Sequence, residues 1–335
     1  MGAFHAYDIR GIYNVDFDKY TAYKIGFFLP ELLKADKVLL GRDVRLSSDE
    51  IYDAVVEGVT DAGADVYDLG LSTTPMVYFA TARYGFNASI QITASHNAKE
   101  YNGMKVSRTN ALPVGFDTGL GEIKRWIEEG RQMKIEKEKG KVIKFDKRDD
   151  YLTFLNGYKE DYSNLKIGMD LSNGMAALFV KDIFGDQPLY ICDKMDGNFP
   201  NHEPNPLVEK NREDLKKLVL DNGCDVGVIY DGDADRVMFI DENGRFISPD
   251  LMIALLGHYF LEEKGEKGAV LQDIRSSKAV GEYLTPMGAE MHTWRVGRAF
   301  AAHKLRELNG VFGGELAGHY YFRDFYYSDS GILAS

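Results

Sequence analysis

Three times along this chain a strand-like apolar run gives way to a short polar loop, an amphipathic helix and a second strand-like run, and that recurrence restricts the architecture more than any single residue does. Val38 to Asp43 ends in Gly41, Arg42 and Asp43, and predicts a helix from about Ser48 to Ala62 and a strand over Val66 to Leu69. The pattern returns at Lys166 to Asp170, with a helix through Met175 to Phe184 and a strand at Leu189 to Cys192. It returns again at Ala269 to Asp273, with a helix from Lys278 to Leu284 and a strand near Met291. Strand, loop, helix, strand is the order of α/β domains, whose ligands sit at the loops that follow the strands. The expected fold is therefore three similar α/β domains around a central cleft. A chain of 335 residues also exceeds what one hydrophobic core organises. We set the domains at residues 1–149, 150–248 and 249–335. The first boundary falls in the charge-dense stretch Glu128 to Asp150, read as a solvated helix face and a linker. The second falls at the turn Gly244 to Pro249, before an apolar helix that starts at about Leu251.

Charge narrows the partners. A formal charge of −12 argues against nucleic acid and against an anionic membrane, both of which select basic surfaces. It leaves room for a pocket with a few Arg and Lys side chains. Cys192 and Cys224 lack metal-ligand spacing and fit buried thiols in a reducing compartment. The longest apolar stretch, Leu251 to Leu261, is too short to span a bilayer and is interrupted by His258. The N-terminus has no signal-like apolar region, so the expected location is cytoplasmic. Nothing in the sequence sets an oligomeric state.

Two segments carry the chemistry. The strand-like run Ala88 to Thr93 delivers Thr93, Ala94, Ser95, His96 and Asn97 to a loop. A phosphorylated Ser95 would carry about −1.5 to −2 charges and three acceptor oxygens. Far downstream lie Asp231, Gly232, Asp233, Ala234, Asp235 and Arg236. On a straight strand Asp231 and Asp235 would stand about 13 Å apart, at roughly 3.3 Å per residue. Small Gly232 and Ala234 let the backbone curl until three carboxylates converge, which calls for a divalent cation, and all-oxygen ligands select Mg²⁺ or Ca²⁺ over zinc. If the two segments meet, Ser95 can hold a phosphoryl group beside that ion and supply its fourth protein ligand. An EF-hand competes for the acidic segment, since Glu242 falls at its twelfth position, but Arg236 replaces the turn glycine and Val237 to Ile240 reads as a strand. A Ser-His triad competes for the serine, yet adjacent Ser95 and His96 are poorly disposed to face each other and no Gly-x-Ser-x-Gly elbow is present.

Residue by residue the chain resembles the α-D-phosphohexomutase family, in its phosphomannomutase/phosphoglucomutase branch. Tyr7, Asp8, Ile9, Arg10 and Gly11 match that family's opening loop, and Thr93 to Asn97 match its phosphoserine loop. Asn102 to Lys105 match the segment that follows, Asp231 to Arg236 the metal loop, and Gly313 to His319 the sugar-binding loop. The resemblance implies mixed sheets in each domain and a phosphotransferase. Phosphorylated Ser95 gives its phosphoryl group to a hexose monophosphate, and the 1,6-bisphosphate turns over and returns the other. It implies one Mg²⁺ per chain on Ser95, Asp231, Asp233 and Asp235, with hexose 1,6-bisphosphate as activator and a small phosphosugar as partner. Arg10 and Lys105 would flank the transferring group, with Lys105 or His96 moving the hydroxyl proton. Arg236 and Asn97 support the two loops, and Glu315 accepts two vicinal sugar hydroxyls in either orientation. Tyr7, Arg275, Arg298, Ala317 and His319 complete the substrate set.

The sequence departs from that pattern at several positions. Ala98 stands where the family has proline, Ala317 where the branch often has serine, and Arg298 where histidine is usual. Arg298 with Arg275 makes a more cationic site for the phosphate that is not transferred. The family's fourth domain, with a phosphate-clamping loop, has no counterpart in the sequence. The expectation is a shortened chain that holds metal and phosphoserine but turns over poorly. The competing readings are a non-catalytic phosphosugar- or metal-binding fragment, and a phosphoglucosamine mutase, the latter disfavoured by Thr93 and Leu316. Mannose and glucose present the same hydroxyls to Glu315, so the substrate reading keeps both.

Overall fold

A computed structural model describes residues 2–135 and 137–335. The chain packs as two units, one running to Tyr151 and taking in Met195–Glu203, the other holding Leu152–Lys194 and Pro204–Ser335.

In the first unit, strands Lys37–Arg42, Asp65–Leu71, Ala88–Ile92 and Val142–Lys144 run parallel, and Tyr101–Arg108 and Ile9–Ile12 extend the sheet antiparallel. The inner strands are buried and apolar, as strands covered on both faces must be. Helix Lys19–Leu33 begins where Asp18 accepts the Thr21 N–H at 2.8 Å, and it lies on helix Ser48–Asp61. Helix Thr74–Arg83 starts with Thr73 as its cap, which accepts from Met76 N at 3.1 Å.

The second unit contains two sheets. One is ordered Phe246–Ile247, Val237–Asp241, Val226–Tyr230, Ile167–Asp170, Leu189–Ile191. The other is ordered Ala289–Trp294, Gly268–Asp273, Phe312–Gly314, Tyr320–Phe322, Ser328–Asp329. Each combines parallel with antiparallel pairs. The three strand–helix–strand repeats are all present, so the chain has the expected α/β architecture of three sheets, each mixed.

Three local expectations need correction. The charge-dense stretch supplies a strand, Val142–Lys144, and a helix, Arg148–Asn156. An edge strand of three residues needs only backbone pairing, here to Asp65–Leu71, and is too short to show a period. The helix predicted through Met175 to Phe184 divides into a 3₁₀ turn, Met175–Leu178, and an α segment, Val180–Phe184. Its first N–H, on Met175, donates to Gly232 O at 2.9 Å, outside the helix. Finally, Ser328 and Asp329 pair with Phe322 and Tyr321 as a strand, so the helix Gly331–Ala334 is capped by Ser330, which accepts from Leu333 N at 3.1 Å. The apolar run near Leu251 forms helix Pro249–His258, continued by a π turn, Tyr259–Glu263. Among the described residues no helix is long and apolar enough to cross a membrane.

Candidate active site

Ser95 sits on the loop joining Ala88–Ile92 to Tyr101–Arg108, fully buried, with φ 53°. A non-glycine residue in that left-handed region is strained unless its surroundings hold it, and such strain gathers at functional sites. Several contacts hold it. Ser95 N donates to Thr93 Oγ1 at 2.9 Å, and Asn97 N donates to Ala94 O at 3.1 Å. The guanidinium of Arg45 reaches Ser95 O at 2.8 Å and Asn97 O at 2.6 Å. Asn97 Oδ1 in turn accepts from Arg10 Nη1 at 2.9 Å, and Arg10 also pairs with Asp8.

Sheet register explains why Arg10 and Lys105 belong together. Arg10 stands directly opposite Gly103, and Gly103 and Lys105 share one sheet face because side chains alternate. Met104 and Val106 occupy the other face, in the core. Lys105, 9% exposed, is thus held beside Arg10 on the face away from the core. His96 is half-buried on the Ser95 loop, and Tyr7 is exposed just before the first strand. The first unit therefore brings Arg10, Asn97, Ser95 and Lys105 to one end of its sheet.

In the second unit the hairpin between Val226–Tyr230 and Val237–Asp241 carries Asp231, Asp233 and Asp235, all fully or almost fully buried. Their carboxylate oxygens lie within 4.8 Å of one another, far closer than a straight strand permits. The curl comes from Ala234, at φ 62°, and from Ala234 N donating to Asp231 O at 3.3 Å. Neighbouring segments hold the curl in shape. Ser172 Oγ donates to Tyr230 O at 2.6 Å, Gly331 N to Ala234 O at 3.1 Å, and Val237 N to Gly318 O at 3.3 Å. Gly174 is required by close approach, since a Cβ there would stand 2.7 Å from Gly232 O.

The donor set fits a hard divalent cation. The nearest positive group is Arg236, whose Nε is 3.8 Å from Asp231 and 3.9 Å from Asp235, too far for a hydrogen bond. One guanidinium at that range leaves the three buried carboxylates underneutralised. Asp231, Asp233 and Asp235 are the residues that would hold Mg²⁺, by hard oxygen alone.

The loop Gly313 to His319 lies beside this hairpin, with His319 Nδ1 3.8 Å from Asp235. His319 Nδ1 bonds to Asp329 at 2.5 Å, and Asp329 also accepts from Arg298 Nε at 3.0 Å. Glu315, 3% exposed, accepts at Oε1 from Gly297 N at 3.1 Å and from the Tyr321 hydroxyl at 2.9 Å. Burial pushes its carboxyl up from the ordinary range, opposed by the charge of His319 and by those two donors. Arg275 folds back on Asp273, at 2.6 Å, and remains the most open cation of the group. Leu316 N donates to that same Asp273 at 2.9 Å, which links the Arg275 turn to the loop. Ala317 is half-buried next to Gly318, whose φ of 84° turns the chain there. Asp235, His319, Asp329, Arg298 and Glu315 thus come together within the second unit.

Two side chains in this arrangement carry no motif signal. Arg45 lies just beyond the recognised Gly41 to Asp43 turn, and its reach to residues fifty positions onward has no local trace. Asp329 reads as a helix cap from sequence, but is the residue joining Arg298 to His319. The single usable signal was for Arg45: an isolated cation two residues after Asp43, in a segment otherwise about to become buried helix.

Family models cover nearly the whole chain. The model described as phosphoglucomutase/phosphomannomutase α/β/α domain I matches residues 1–134, domain II residues 149–244, and domain III residues 248–335. The phosphomannomutase of Escherichia coli K12 is 37% identical over 344 residues, covering 99% of this chain and 75% of the relative. A protein named for phosphohexose mutases in Xanthomonas campestris is 37% identical over 338 residues, with the same shares. Among solved structures, a phosphoglucomutase/phosphomannomutase family protein from Burkholderia thailandensis superposes with a TM-score of 0.89 at 28% identity, covering 99% of this chain and 74% of its own. The fold alone is shared with a phosphomannomutase from Thermus thermophilus described as putative in its own title, at a TM-score of 0.89 and 22% identity.

Proposed function

The chain belongs to the phosphoglucomutase/phosphomannomutase family, and from that premise we propose how its residues divide the work of a phosphohexose mutase. The substrate is a hexose monophosphate, mannose or glucose, converted between its 1- and 6-phosphates. The observation that carries the assignment is the buried carboxylate triplet, within reach of His319 on the loop that also carries Glu315.

Ser95 is the phosphoryl carrier. In the loading step a bond forms between Ser95 Oγ and phosphorus, the bond from phosphorus to one sugar oxygen of hexose 1,6-bisphosphate breaks, and the serine proton ends on that sugar oxygen. Transfer to the opposite hydroxyl of a monophosphate is the same step reversed. Arg10 and Lys105, on one sheet face, offset charge on the transferring group, and Lys105 or His96 moves the proton. Mg²⁺ on Asp231, Asp233 and Asp235, one per chain with Ser95 as a further ligand, lowers the barrier electrostatically. Positioning and charge supply most of such catalysis, which suits residues held as rigidly as these.

Glu315 receives vicinal hydroxyls, its orientation fixed by Gly297 N and Tyr321. Arg298 and Arg275 take the phosphate that is not transferred, with Tyr7, Ala317 and His319 at the sugar. Arg236 steadies the metal hairpin and Asn97 the serine loop. Hexose 1,6-bisphosphate is the activator, because it reloads Ser95 whenever the intermediate escapes.

The test is direct. Incubation with glucose 1,6-bisphosphate and Mg²⁺ is expected to add the mass of one phosphoryl group, mapped to Ser95, and Ser95→Ala is expected to stay unmodified. A chain that takes no phosphoryl group, with metal bound, would overturn the reading. A coupled assay with mannose 1-phosphate and glucose 1-phosphate then ranks the two substrates.

A further inference from the structure

Arg45 is buried to 2% exposure, on the loop before helix Ser48–Asp61, and none of the roles above uses it. Its guanidinium is filled with acceptors, and almost all of them are backbone carbonyls of one loop. Nη1 donates to Ala98 O at 2.7 Å and to Tyr101 O at 3.1 Å. Nη2 donates to Ser95 O at 2.8 Å and to Asn97 O at 2.6 Å. Nε faces Asp43 Oδ2 at 3.1 Å, and Asp43 is itself fixed by Arg45 N at 3.0 Å and Ser48 Oγ at 2.6 Å. The other face of the guanidinium meets the ring of Phe199, 5.0 Å from its centroid, and Gly197 pairs with Arg45 as a backbone bridge. Phe199 belongs to Met195–Glu203, the segment that joins the first unit from far along the chain.

This is more than a satisfied buried charge. Four carbonyls in the span 95–101 converge on one planar fork, which fixes the direction of the peptide planes around a serine that sits in a strained left-handed conformation. A guanidinium offers five N–H donors in fixed geometry, whereas an ammonium offers three on a flexible stem. Proline is absent from this loop, and Ala98, one of the residues held, has no side-chain means of stiffening the turn. Arg45 supplies that stiffness from outside the loop.

We infer that Arg45 is a positioning residue for the nucleophile: with Phe199 as its backing, it holds the Ser95 loop in the one arrangement that aims the hydroxyl for phosphoryl transfer. The inference rests on the reading of Ser95 as phosphoryl carrier. Arg45 touches neither sugar nor phosphate in this scheme, so its loss is read in the rate of transfer and not in substrate affinity.

The experiment measures the rate at which glucose 1,6-bisphosphate with saturating Mg²⁺ phosphorylates Ser95, followed by intact mass, across a series of bisphosphate concentrations. Arg45→Lys keeps the charge beside Asp43 but cannot make the fork. It is expected to slow the saturated rate by about 100-fold, the scale of a reacting group misplaced by about 1 Å, with the half-saturating concentration within about twofold of wild type. A saturated rate equal to wild type in folded Arg45→Lys overturns the inference, as does a loss confined to half-saturation. If Arg45→Lys does not fold, Phe199→Leu reads the same device from its other side. It removes the ring beneath the guanidinium and is expected to slow transfer two- to fivefold at unchanged half-saturation, and a wild-type rate there overturns the inference. Failure of the wild-type chain itself to phosphorylate Ser95 is a different result, one that removes the mutase reading.

Discussion

Glu315 shows what a recognition residue costs the protein that keeps it. Its carboxyl is pushed up by burial, so over the interval between the ordinary carboxylate value and its own the folded state holds a proton that the unfolded chain releases. Stability therefore falls as pH rises through that interval, and the cost is fully present above it. Glu315→Gln keeps an oxygen to accept from Gly297 N and Tyr321 Oη and removes the charge. We expect it to unfold at higher denaturant than wild type at neutral pH, with the difference closing as pH falls below the carboxylate range, and to lose sugar binding throughout. Equal midpoints at neutral pH would show that the charge is better solvated than its burial implies. The metal carboxylates follow similar logic without any titration. Asp233→Asn relieves repulsion in the metal-free hairpin, so its melting temperature without Mg²⁺ is expected to rise while the increase given by Mg²⁺ disappears. In wild type a hundredfold excess over Kd should add about 2.7 kcal/mol. Differential scanning calorimetry with and without the ion separates the two effects.

At the scale of elements, the hairpin is only as good as what braces it. Gly174 stands where the segment after Ile167–Asp170 touches Gly232, and a methyl group there meets a backbone oxygen, which has no rotamer to yield. Gly174→Ala is expected to cost about 1–3 kcal/mol and to weaken Mg²⁺ binding although no ligand has changed. Isothermal titration with Mg²⁺ reads the second effect, and unchanged affinity would show that the hairpin keeps its curl unaided. The same contact explains what the sequence could convey. Strands such as Lys37–Arg42 and Gly268–Asp273 were readable because burial on both faces forces an uninterrupted apolar run. The convergence of the three aspartates was readable because small residues alternate with them. The broken helix after Gly174 was not, because Met175 N turns to an oxygen more than fifty residues away, and no local propensity encodes that. The strand Val142–Lys144 was missed for a related reason: its identity lies in the partner's backbone, not in its own side chains.

For the molecule as a whole, the division of labour is between loops on different folding units. The Ser95 loop belongs to the first unit, and the carboxylate hairpin, with Glu315 and Arg298, to the second. Sequence motifs named the members of both sets, because each hydroxyl, carboxylate and guanidinium carries its chemistry wherever it is placed. They could not name Arg45 or Asp329, whose work is to hold other residues and depends on distance in space. If the proposed chemistry is right, a change in one unit must be felt in a reaction at the other. Asp231→Asn lies on the hairpin, removes one negative ligand and leaves every residue of the first unit untouched. Electrostatic stabilisation of a transferring phosphoryl group is lost on the order of 10²-fold when one preorganised element fails. Loading of Ser95 from glucose 1,6-bisphosphate is therefore expected to slow by about that factor, and raising Mg²⁺ should recover part of the loss, since weakened binding can be overcome by concentration. Mass spectrometry of Ser95 over time, at low and high Mg²⁺, measures both. Loading at the wild-type rate in Asp231→Asn would mean that the hairpin's metal stabilises its own unit and takes no part in the chemistry of Ser95.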